Sequence, residues 1–161
     1  MFKRMTTAAF ALILAASSAH AQTNIALGGI TADQSAAVEV TSDTLSVDQD
    51  SGTAIFTGNV IVIQGDLRLA AAEVEVIYTE ATGKISELIA TGGVTFVTPT
   101  EAAESDSAVY KLEETTLVMT GDVLLTQGPS VIAAERMVVN TDDGTAVMEG
   151  RVRTVLQQES N

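Results

Sequence analysis

Cysteine and histidine, the side chains that supply thiolate nucleophiles, imidazole bases and most zinc ligands, are scarce in this 161-residue chain. It has no cysteine and a single histidine, His20, which lies in a leader-like N-terminal stretch. Downstream of it there is therefore no thiolate nucleophile, no imidazole base and no typical zinc set. Chemistry would then fall to the carboxylates. Asp48-x-Asp50-x-Gly52 has the opening of a calcium loop, but position twelve counted from Asp48 is Asn59, where such a loop needs a bidentate Glu. A hairpin turn built from Asp and Gly explains the same residues, and Asp142-Asp143-Gly144 reads alike. Gly83-Lys84 lacks the glycine five residues earlier that a phosphate loop needs, since Tyr78 stands there. The expectation is a protein with no catalytic residues, no metal site and no cofactor, and therefore not an enzyme. A polysaccharide-cleaving β-helix would want a longer chain and catalytic carboxylates with basic partners.

The first residues have the grammar of a secretory signal. Lys3 and Arg4 precede an apolar run over residues 5–16, and Ala19-His20-Ala21 offers a small-x-small cleavage site before Gln22. About 12 apolar residues fall short of the roughly 17–25 that span a bilayer. No cysteine follows, so no lipoprotein anchor is expected. Export to the periplasm is expected, with residues 1–21 removed. What remains is one domain's worth of chain. It keeps 6 basic against 21 acidic residues, a net charge of −15, which argues against nucleic acid as a partner. With no disulfides available, stability must come from apolar burial and strand pairing. Val, Ile, Leu, Ala and Thr are abundant and there are two prolines, a composition suited to pleated strands.

A repeat organises these residues. Gly58-Asn59-Val60, Gly92-Gly93-Val94, Gly121-Asp122-Val123 and Gly150-Arg151-Val152 share a glycine two residues before a valine, at spacings of 34, 29 and 29. Thr57, Thr91 and Thr120 precede three of the glycines, and Phe56, Ala90, Met119 and Met148 stand two before.

Within each copy apolar residues fall at every second position, which predicts strand–turn–strand units and not helices. Leu45 and Val47 precede the Asp48–Gly52 turn, after which Ala54, Phe56, Val60 and Val62 share one parity. Val76 and Tyr78 precede Leu88, Ala90, Val94 and Phe96; Tyr110 and Leu112 precede Leu117, Met119, Val123 and Leu125. The last copy runs Met137, Val139, Ala146, Met148, Val152. The repeated glycine sits on the inward parity, which suggests a bend or a close backbone approach. Residues 98–107, acidic and containing Pro99, are expected to form an exit loop. Residues 22–36 are weakly patterned and expected to be flexible, and residues 157–161 to be disordered. Alternation alone leaves open whether the inward row fills a closed core or lines a groove.

Residues 42–78, SDTLSVDQDSGTAIFTGNVIVIQGDLRLAAAEVEVIY, resemble the OstA-like domain family of periplasmic lipopolysaccharide-transport bridge proteins. Residues 108–156 are similar to the second half of the same family, the most specific parts being FTGNV, QGDLRLAA and LVMTGDVLL. Ser105 and Ala134 depart from it, standing where glycine is common. The resemblance implies an all-β fold: a V-shaped OstA-like β-jellyroll of consecutive antiparallel strands, here built from four strand–turn–strand repeats over residues 37–156. It implies lipopolysaccharide binding, with lipid A acyl chains in a hydrophobic groove. Parity and the implied groove together nominate Val38, Val40, Val62, Tyr78, Phe96, Tyr110 and Leu112, with Leu45, Val47 and Val60 behind them. Implied partners are an inner-membrane-anchored jellyroll subunit of the lipopolysaccharide exporter, the periplasmic domain of the outer-membrane translocon, and further copies joined head to tail. Bare terminal strands would make those joints by strand addition. Arg151 and Arg153 are either gatekeepers of the last edge or guides for an acidic partner edge such as Glu39. The alternative is a secreted structural β-repeat protein without a lipid ligand.

Overall fold

The computed structural model of the protein describes residues 23–26, 30–33 and 35–155. The expected leader and cleavage point, and residues 157–161, lie outside the described residues. Eleven strands follow in order: β1 (Thr23–Ala26), β2 (Glu39–Thr41), β3 (Thr44–Asp48), β4 (Thr53–Gln64), β5 (Leu67–Tyr78), β6 (Ile85–Val97), β7 (Glu101–Lys111), β8 (Thr116–Gln127), β9 (Ser130–Asn140), β10 (Thr145–Glu149) and β11 (Arg153–Val155). All pairings are antiparallel and β4 to β10 lie side by side in chain order. β2 and β3 both pair with β4, β11 joins β10 on β9, and β1 returns to the outer side of β10.

Alternation builds these strands. On β8, Leu117, Met119, Val123 and Leu125 are buried on one face, while Thr120 and Leu124 are exposed on the other. Two-residue turns keep neighbours adjacent. Gly65-Asp66 joins the register partners Gln64 and Leu67, and Gly128-Pro129 joins Gln127 and Ser130.

The Gly-X pairs crease the sheet. Register shifts fall between Thr57 and Val60 on β4, Thr91 and Val94 on β6, and Thr120 and Val123 on β8. Gly150-Arg151 separates β10 from β11. Both residues of each pair are left-handed, as with Gly121 (φ 87) and Asp122 (φ 43), so the strand carries an extra residue and turns. A Cβ on Gly121 would lie 2.7 Å from Cγ and 2.8 Å from Cβ of Asp106 on β7, leaving no room for a side chain. Because the bulges line up across alternate strands, the sheet folds along one line into two leaves. The first leaf holds β3, the N-terminal half of β4, the C-terminal half of β5 and so on to β10 and β1. The second holds β2, the complementary halves and β11. The inner faces bury Val60, Val74, Val94, Met119, Leu125, Met137 and Met148 almost completely. The all-β, consecutive antiparallel order matches the expected jellyroll.

The expected loop over residues 98–107 is corrected. Only Thr98-Pro99-Thr100 turns, and β7 starts at Glu101. Its inward positions are Glu101, Ala103 and Ser105, too small or too polar to signal a strand. Glu101 is nonetheless buried, its carboxylate accepting hydrogen bonds from Thr98 Oγ1 (2.6 Å), Thr100 Oγ1 (2.5 Å) and Gln127 Nε2 (3.2 Å). Ser105 and Ala134, both buried, sit inside β7 and β9 beside the crease.

Candidate functional site

Near the free ends of the leaves, opposite the crease, an apolar cavity of about 30 Å³ lies between them. Val62, Leu67, Leu69 and Phe96 line it from the second leaf, Leu88 and Leu117 from the first, and Val38 from the segment before β2. Three polar groups also face it. The Tyr110 hydroxyl donates to Gln64 Oε1 across the leaves at 3.3 Å and lies 3.5 Å from Thr141 Oγ1, which donates in turn to the Thr115 carbonyl at 3.1 Å. These buried groups tie the leaves together where an entirely apolar lining would leave them free to splay.

The ten nominated residues divide by position. Val38, Val62, Phe96 and Tyr110 line the cavity. Val60 is buried deeper, next to the crease, and Val40 and Leu112 are half-buried against the core. Leu45 and Val47 belong to edge strand β3 and stay 55% and 61% exposed, although their register partners Phe56 and Ala54 are half-buried and buried. Tyr78 closes β5 beside a register irregularity and is exposed at the rim of the first leaf. Sequence reasoning did not nominate Gln64, Leu67, Leu69, Leu88, Leu117 and Thr141. Leu88 and Leu117 were on the inward parity and could have been chosen, whereas nothing local distinguishes Gln64 or Thr141 from surface residues.

The acidic turns are occupied with their own backbone. Asp48 Oδ1 accepts the N–H groups of Asp50 (2.9 Å) and Ser51 (3.3 Å), which hold its carboxyl below the usual range. Asp143 is lowered likewise by the hydroxyl and N–H of Thr145, and Asp33 by those of Ser35. Outside the crease, Asp43 and Glu135 lean over Gly58 and Gly150 and accept from Asn59 Nδ2 (2.8 Å) and Arg151 Nε (2.6 Å). Arg151 is thus paired within its own chain, while Arg153 on β11 is exposed. Among the described residues no group of His, Cys, Asp or Glu is arranged to hold a metal ion.

A single antiparallel sheet folded on itself, with an apolar interior and, among the described residues, outer edges of β1, β2, β3 and β11 left unpaired, defines an open-ended β-jellyroll. The profile of the family described as LptA/(LptD N-terminal domain) LPS transport protein matches residues 39–145. An uncharacterised protein of Rhizobium meliloti (strain 1021) is 30% identical over 159 residues, covering 91% of this chain and 86% of its own. The crystal structure of LptH from Pseudomonas aeruginosa, described as the LptA homologous periplasmic component of the conserved lipopolysaccharide transport device, shares the fold with a TM-score of 0.71. At 17% identity it covers 79% of this chain and 99% of its own. The chain belongs to the LptA/LptD N-terminal domain family of lipopolysaccharide transport proteins.

Proposed function

We propose that the protein works in the periplasm as a lipopolysaccharide carrier, holding lipid A acyl chains between the leaves and passing them along a bridge of jellyrolls. The observation that carries this reading is an inner apolar face that runs out unfinished. Leu45 and Val47 continue the row of Ala54 and Phe56 onto an edge strand with no further neighbour among the described residues. Such an edge offers both apolar surface to an acyl chain and free N–H and C=O groups to an incoming strand. The protein's proposed partners are an inner-membrane-anchored jellyroll of the exporter, the periplasmic domain of the outer-membrane translocon, and further copies stacked head to tail through the terminal strands β2 and β11, both on the second leaf. Each methylene withdrawn from water contributes about 0.8 kcal/mol, so a few suffice to outweigh a surface charge contact. Repulsion between lipid phosphates and the acidic chain is screened over roughly 8 Å. Exposed Arg68 and Lys84, Lys111, whose ammonium is shared with Glu114, or bound divalent cations are the proposed means of offsetting the remainder. The second reading, a structural β-repeat protein without lipid, draws on the filled interior, whose cavity is only about 30 Å³.

Comparing Phe96→Asp with Thr95→Asp tests the proposal. Phe96 is 3% exposed and faces inward, whereas Thr95 is exposed on the opposite face of β6. Lipopolysaccharide binding, measured on the folded fraction of each variant, should fall with Phe96→Asp and hold with Thr95→Asp. Equal binding by the two would refute the assignment of the ligand to the interior.

A further inference from the structure

We infer that residues 30–33 and 35–38 act as a strap that fills and latches the interior, and that it must lift before an acyl chain enters. The inference rests on the proposed reading of the interior as an acyl-chain site. An irregular segment ordinarily runs over the surface. Ile30 is in no strand, yet it is completely buried in the core formed by the two leaves. The cavity, which Val38 of the strap lines, is about 30 Å³, room for about two or three waters and too small for an acyl chain of a dozen methylenes. Something apolar must leave when a chain arrives.

The strap has the fewest ties of any part of the lining. All other apolar side chains at the cavity except Val38 are fixed on strands hydrogen-bonded along both edges. The strap crosses from one leaf to the other on isolated contacts. At the first leaf, the Ala32 N–H donates to the Thr141 carbonyl at 2.8 Å. At the second, Gln64 Nε2 donates to the Ala36 carbonyl at 3.5 Å, and Asp33 and Ala36 lie against the Gly65 turn. Gln64 and Thr141 are also the residues that meet the Tyr110 hydroxyl, Gln64 through the oxygen of the same side-chain amide and Thr141 through its Oγ1 in place of its carbonyl. The clasp joining the leaves and the latch on the strap are therefore one network. Disturbing it from inside, as an acyl chain would, frees the strap and lets the leaves part together.

A reversible tether tests the strap. A Cβ built on Gly65 lies 3.6 Å from that of Asp33, within disulfide range, and the chain has no native cysteine to compete. In the full chain, Asp33→Cys with Gly65→Cys pins the strap when oxidised and frees it when reduced. Any strain from a side chain at Gly65 is common to both forms. Uptake of parinaric acid, an intrinsically fluorescent fatty acid, and of purified lipopolysaccharide is measured for both forms and for wild type. Oxidation should weaken uptake by about tenfold or more, because only the lifted fraction of molecules is competent to bind, and reduction should restore it. Ile30→Ser, which loosens the plug, should strengthen parinaric acid uptake by about fivefold even as it lowers stability; a mere core residue would show the loss of stability without the gain. Equal uptake by oxidised and reduced protein overturns the strap, as does wild type that takes up neither lipid. Uptake of parinaric acid that responds to the tether, with no binding of lipopolysaccharide by any form, upholds the strap and sinks the lipopolysaccharide reading.

Discussion

Replacing Gly121 by alanine places a methyl group against the fold's crease, and the cost can be worked out from its surroundings. At φ +87 the backbone lies where an L residue is disfavoured, a penalty of about 1–2 kcal/mol. The new Cβ would also stand 2.7 Å from Cγ and 2.8 Å from Cβ of Asp106, so β7 and β8 must shift, adding about 1–3 kcal/mol as in other overpacked sites. The total is about 2–5 kcal/mol. Gly83→Ala supplies the control, because Gly83 is also left-handed (φ +65) but has nothing within 4 Å of the added Cβ. Only the backbone penalty of about 1–2 kcal/mol applies there. Urea unfolding followed by circular dichroism, with unchanged m-values, gives both numbers. Adding Asp106→Ala to Gly121→Ala should recover only part of the loss, since the Cβ at position 106 remains too close. If Gly121→Ala and Gly83→Ala cost the same, the bulges do not set the crease by close backbone approach.

Deleting residues 151–161 removes β11 and uncovers β9 residues 131–133, yet leaves the first leaf whole. The truncated protein should stay folded and lose concentration-dependent self-association in sedimentation velocity; undiminished association would assign the joint elsewhere. Asp33, Asp48 and Asp143 should titrate below the ordinary carboxylate value of 3.8 when followed by NMR. Because their folded values are depressed, the stability they lend is complete above that value and is lost as pH falls through the lower folded one. Ordinary midpoints at all three would show that the turn hydrogen bonds are not formed in solution.

The parts of this fold legible in the sequence are those where one parity runs unbroken. β4, β6 and β8 keep their inward residues on a single parity through the Gly-X bulge: Ala54, Val60 and Val62; Leu88, Val94 and Phe96; Leu117, Met119 and Leu125. Their neighbours lack the extra residue, so the parity flips at the crease. On β5 the buried positions pass from Leu67 and Ala71 to Val74 and Val76, on β7 from Ala103 to Ala108, and on β9 from Ile132 to Met137. A reader following one alternation loses such a strand halfway, which is how the first half of β7 became a loop. The inner face was visible in outline for the same reason, and Phe96 and Tyr110 do face each other's leaf. Gln64 and Thr141 were not visible, since their role comes from meeting Tyr110 across 46 and 31 residues of chain. Ile30 stood in a stretch too weakly patterned to announce a buried side chain.

Photo-crosslinking in living cells tests most directly whether lipopolysaccharide travels between the leaves. A photoreactive residue is placed singly at the inward positions Val62, Phe96 and Tyr110, and at the outward positions Ile61, Thr95 and Val109 on the same strands. Adducts with lipopolysaccharide are then detected on the purified protein. The account predicts adducts at the three inward positions and none at their neighbours one residue away. Adducts that ignore parity, or that form only on the outer face, would contradict it.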